Sequence, residues 1–127
     1  MSADGAMKIT EELVAYIRSS IHEHLELLAN TEAQREYERN VPSADVPAEL
    51  FCVWFDDCYQ PESLAFLAAF SPEELDALAA FTDLLTAAQA ELPEPLPRLC
   101  DLQAHPAWGR VTSGATRALH RLSGRSP

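Results

Sequence analysis

A chain of 127 residues with 47% hydrophobic and 23% charged residues has the size and composition of one globular domain, able to bury about two thirds of its unfolded surface and far from the composition of disorder. Its net charge of −11 argues against nucleic acid and anionic membranes as partners. No apolar run approaches the ~18 residues of a membrane span, and the first ten residues lack the apolar core of a signal peptide. Cys52, Cys58 and Cys100 cannot all pair within one chain, which fits a reducing, cytoplasmic setting.

The charge is segregated. Residues 1 to 39 carry eight acids and four bases, residues 40 to 97 carry eleven acids and no Lys, Arg or His, and residues 98 to 127 carry Asp101 and five arginines. Such a layout favours a cationic partner for the middle of the chain. The competing reading is that the acids serve solubility.

Lys8 to Ala29 shows helical spacing, with Ile9, Leu13, Ile17, Ile21, His24 and Leu28 on one face. Glu11 and Glu12 sit near the start, where the helix dipole favours acids. Beyond Asn30 the polar stretch TEAQREYERN either re-caps as a Thr31-x-x-Gln34 box or runs on, and continuation with a kink is the reading preferred. Tyr37 is its one apolar anchor.

VPSADVP, residues 41 to 47, is a linker by its prolines and turn residues, and a helix is expected from Pro47. The segment AELFCVWFDDCY, residues 48 to 59, is the densest apolar run and is placed at the centre of the fold. Leu50, Trp54 and Cys58 share one helical row and Phe51 and Phe55 the next. A buried strand competes, because LFCVWF is rich in β-favouring residues, but no second segment reads as its pairing partner.

Pro61 opens a short helix to Phe70 with Leu64, Leu67 and Phe70 inward. Ser71-Pro72-Glu73-Glu74 is a capping box with proline at the first helical position. The helix it starts carries a seam of Leu75, Leu78, Thr82, Leu85, Gln89 and Leu92, with Phe81, Leu84 and Ala88 beside it. LPEPLP, residues 92 to 97, is an extended connector. A helical turn at Arg98 to Ala104 follows, and His105-Pro106 opens a last helix with Trp108, Val111, Ala115, Leu119 and Leu122 inward. Gly109 and Gly114 each weaken that helix by about 1 kcal/mol relative to Ala, or permit close packing.

The expectation is therefore all-α: an irregular bundle of five or six helices in a single domain, residues 1 to 127, with 1 to 6 and 124 to 127 disordered.

No segment carries a catalytic or nucleotide-binding signature. His22 and Glu26 are four apart on one helical face, but His24 points elsewhere and two ligands do not make a zinc site. No metal or other cofactor is expected. Asp56 and Asp57 diverge by about 100° on a helix, so as an acid and base pair they are a weak signal.

The leading expectation is a non-enzymatic protein that docks a basic partner, in the manner of an inhibitor, antitoxin or immunity protein. Its partner-binding residues are Asp56, Asp57, Tyr59, Glu62, Glu73, Glu74 and Asp76, with Tyr59 as the aromatic surface contact. A metal-assisted hydrolase using Asp56, Asp57 and histidines is the alternative. The second alternative is self-association, in which the acidic middle meets the basic C-terminal helix and a homodimer forms through Arg110, Arg117 and Arg121.

Overall fold

The computed structural model of the protein describes residues 9 to 123, and the expectations for residues 1 to 6 and 124 to 127 lie outside them. Among the described residues are seven α-helices and no strand, two helices more than the lower expectation and one more than the upper. These are α1 (Glu11–Ala29), α2 (Thr31–Asn40), α3 (Val46–Val53), α4 (Leu64–Ala69), α5 (Pro72–Glu91), α6 (Leu99–Ala104) and α7 (Pro106–Ser123), with a π-helical turn at Trp54–Cys58 directly after α3.

The extra helix comes from Asn30. Instead of kinking, the chain leaves helical geometry there, and the Asn30 side chain accepts from the Ala33 amide to start α2 afresh. Asn is a strong N-cap because its short side chain reaches the orphan amides of the first turn, so the cap falls on Asn30 and not on Thr31. Thr10, Asp45, Ser63 and Ser71 do the same for α1, α3, α4 and α5. At Ser71 the box is complete, the Glu74 carboxylate accepting in return from the Ser71 amide.

The three long helices form the frame, with α7 packed against both α1 and α5 and α4 laid on α1. Leu25 and Leu28 of α1, Leu78 and Leu85 of α5, and Trp108 and Val111 of α7 are fully enclosed between them. The helical reading of residues 50 to 58 holds, and so does its central place: Leu50, Phe51 and Trp54 have no more than 1% of their surface exposed, and Cys58 is buried. Phe55 is only half-buried.

Trp54 is the hub of an aromatic chain. Phe81 meets it edge-on at 5.1 Å, Tyr59 stacks on it at 5.8 Å, and Phe66 stands edge-on to Tyr59 at 5.5 Å. Its indole Nε1–H donates to Thr82 Oγ1 at 3.0 Å, which satisfies the one polar atom that the burial would otherwise strand.

The inner side of α4 differs from expectation. Ala65, Phe66, Ala69 and Phe70 face the core, whereas Leu64 is 74% and Leu67 41% exposed. The cause is the cap: Ser63 fixes where the helix begins, and Phe66, three residues on, is drawn under by Tyr59 and Phe70. The two glycines of α7 also separate. A Cβ on Gly109 would meet nothing within 4 Å, while one on Gly114 would run into Leu84 Cδ2, so close helix packing belongs to Gly114 and not to Gly109.

Candidate functional site

The π-helical turn decides how the acidic segment meets solvent. Its closing bond runs from the Tyr59 amide to the Trp54 carbonyl at 2.8 Å, five residues apart. Winding five residues into that turn keeps Trp54 and Cys58 buried while Asp56 and Asp57 are exposed. The turn also ends the helix, since Tyr59 leaves helical geometry directly after it.

Tyr59 follows immediately and lies half-buried between the rings of Trp54 and Phe66. Burial raises the pKa of its phenol first, then the negative charge of Asp83, with Glu62 adding in the same direction and the Thr82 hydroxyl opposing. The phenol is thus held neutral at a lip shared by the π-turn, the following loop and α5. Asp83 belongs to this site, although the expectation had not included it among the partner-binding residues.

Glu73 and Asp76 are exposed in the first turns of α5. Asp76 precedes Asp83 by seven residues on the same face, about 10 Å along the helix. Among the described residues, Asp56, Asp57, Glu62, Glu73, Asp76 and Asp83 make no ion pair. The arginines of α7 do not cover them, since Arg110 pairs with Glu91 while Arg117 and Arg121 border a groove between α5 and α7. Arg125 lies outside the described residues.

Glu74 must be removed from this face. It is buried, and its carboxylate receives two hydrogen bonds from the Arg18 guanidinium, Nη1 to Oε1 at 2.8 Å and Nη2 to Oε2 at 3.1 Å, besides capping Ser71. A carboxylate so engaged holds helices together and is not free to meet a partner. The neighbouring Glu73, about 100° round the helix, is exposed.

The histidines do not assemble with the acids. His22 pairs with Glu26 at 3.6 Å, and His24 is buried with Nε2 at 3.0 Å from the Leu50 carbonyl. Among the described residues no three His, Cys, Asp or Glu side chains are grouped to hold a metal ion, and no helix is long and apolar enough to cross a membrane.

Two polar side chains that sequence reasoning missed join one helix to another. Arg18, itself partly buried, is one. The other is Gln34, fully buried on the helix read above as a polar stretch. Its Nε2 donates to the Leu27 and Leu28 carbonyls, and its Oε1 accepts from Gln103 Nε2 at 2.9 Å and from Trp108 Nε1 at 3.2 Å. Only its position three before Tyr37, on the same helical face, hints at this.

Comparison of the chain with protein-family models, with curated proteins and with solved structures gives no match in any of the three.

Proposed function

We propose that this protein is a non-enzymatic binding module whose acidic face, centred on Tyr59, docks a cationic protein partner in an inhibitory, antitoxin or immunity-type role. The observation that supports this most directly is a half-buried tyrosine under the charges of Asp83 and Glu62, in a fold where Asp56, Asp57, Glu73 and Asp76 are likewise exposed and unpaired among the described residues, with Leu64 and Leu67 exposed on the helix that follows Glu62. Charge steers the encounter, while an aromatic and aliphatic centre supplies the area that holds it. Three thiols unpaired in the fold fit a reducing compartment.

The test begins by capturing the partner from the native cell with untagged protein. Reversal of the pair, Asp56→Lys with Asp57→Lys, should slow association, and raising salt should weaken the unaltered complex, since the Debye length is only about 8 Å at physiological ionic strength. Because both side chains are exposed and unpaired, the thermal midpoint should hardly move. Unchanged association of the double variant would refute the reading, as would its unfolding.

A further inference from the structure

We infer that the groove between α5 and α7 is a binding site for an amphiphilic carboxylate, a small anion with an apolar body about as long as two helical turns, roughly 10 Å. The groove has a volume of about 520 Å³, within the range of small-molecule sites. Ala80, Phe81 and Leu84 of α5 and Gly114 and Ala118 of α7 make its floor, and Arg117 and Arg121 its cationic rim.

Three features point to this occupant. Arg117 and Arg121 are four residues apart, so their guanidinium groups can converge on one carboxylate, whose two oxygens match the planar donors of arginine. Neither makes an ion pair among the described residues, in a chain with 20 acidic side chains. Placement near the C-terminus of α7 suits the helix dipole, but that alone leaves the apolar floor beneath them unexplained. The pairing of an unneutralised cationic rim with an apolar floor is the complement of an anion that carries hydrocarbon.

The groove is also short. Its lining spans Ala77 to Leu84 on one side and Gly114 to Arg121 on the other, too little to seat a long partner helix. A second copy of the chain would bring a further charge of −11, and such self-repulsion opposes that contact. Asp76 and Asp83 stand on α5 beside the residues that line this groove. The two readings are nonetheless tested on different side chains, the partner at Asp56 and Asp57 and the anion at Arg117 and Arg121, so either stands or falls without the other.

The test is a titration of the full chain with decanoate below its micellar range, followed by amide chemical shifts, with decanol and decyltrimethylammonium as controls. Decanoate should bind one to one and move amides within residues 77 to 84 and 114 to 121. Replacing Arg117→Gln together with Arg121→Gln should weaken it about tenfold or more, and decanol should bind about tenfold or more weakly, the loss expected of charge-assisted hydrogen bonds. Ala80 is exposed, so Ala80→Trp should fill the groove and abolish binding with the far-ultraviolet spectrum unchanged. Should that variant misfold, the arginine pair decides alone. Binding that does not saturate, shifts confined to other amides, equal binding of the cation, or full affinity in the arginine variant would overturn the inference. So would ligand-free protein whose mass doubles on concentration while the same amides move, because the groove would then be an interface between copies.

Discussion

Arg18 and Glu74, 56 residues apart in the chain, are joined by two parallel hydrogen bonds that tie the middle of α1 to the first turn of α5. The same guanidinium donates to the Ala69 carbonyl at 2.9 Å and lies 5.2 Å from the centre of the Phe70 ring. It therefore also closes the end of α4. Arg18→Met keeps the apolar stem but leaves Glu74 buried without its cation, and should lower stability by about 2–3 kcal/mol, less than the ~3–5 kcal/mol of breaking a fully buried pair because Arg18 is itself a third exposed. Urea midpoints test this. Glu74→Gln should cost less, since an amide oxygen still accepts from the Ser71 amide and from Arg18.

What was legible in the chain was what local chemistry decides. The capping box at Ser71, the apolar rows through Leu50, Trp54 and Cys58, and the inward face of α7 all follow from spacing, and all stand in the fold. Partnerships between distant polar side chains were not legible, because nothing near Arg18 or Gln34 in sequence reports what lies across the bundle. The misplaced Leu64 and Leu67 teach a related lesson. A six-residue helix has too few turns for periodicity to fix its face, and its cap and the rings it rests on fix it instead. The acidic face was visible as composition, but its unpaired state became visible only once Arg110 was found on Glu91 and Glu74 on Arg18.

Trp54 should be the costliest single truncation. Trp54→Ala removes the hub against which Phe81 and Tyr59 pack, and a loss of about 3–5 kcal/mol is expected for a buried aromatic. Thr82→Val is the finer probe. It preserves shape but strands the indole N–H, for about 1–3 kcal/mol. Chemical denaturation of both variants would show whether the hydrogen bond or the ring area matters more.

His24 makes stability depend on pH. Burial lowers its pKa, with the bond to the Leu50 carbonyl opposing in part. The fold therefore prefers the neutral imidazole, and the unfolded chain takes up the proton first. Stability is full above the unfolded value of about 6.5 and declines as the pH falls through it towards the lower folded value. Denaturation midpoints measured between pH 7.5 and 5.5 should drop in the native protein and drop much less in His24→Gln, whose amide can still donate to Leu50.

The two glycines of α7 should respond differently to the same change. Gly109→Ala fills open space and should stabilise by about 1 kcal/mol through helix propensity. Gly114→Ala gains the same propensity but requires the Leu84 Cδ2 methyl, the end of a half-buried side chain, to swing aside, at a cost of about 1 kcal/mol, the low end of overpacking. Calorimetric midpoints should therefore rise for the first and stay level or fall for the second.

The placement of Gln34 bears on how the molecule breathes. Helix α2 is held to α6 and α7 by that amide and by Gln103, which donates to the Thr31 carbonyl and accepts from Arg35, and to α3 by Tyr37, whose hydroxyl donates to Glu49, with little apolar surface of its own. Denaturants act in proportion to the surface that an opening exposes. Detachment of α2 alone would uncover little, so its amides should exchange with solvent at a rate almost indifferent to added urea, while those of α1, α5 and α7 exchange only when the whole bundle opens.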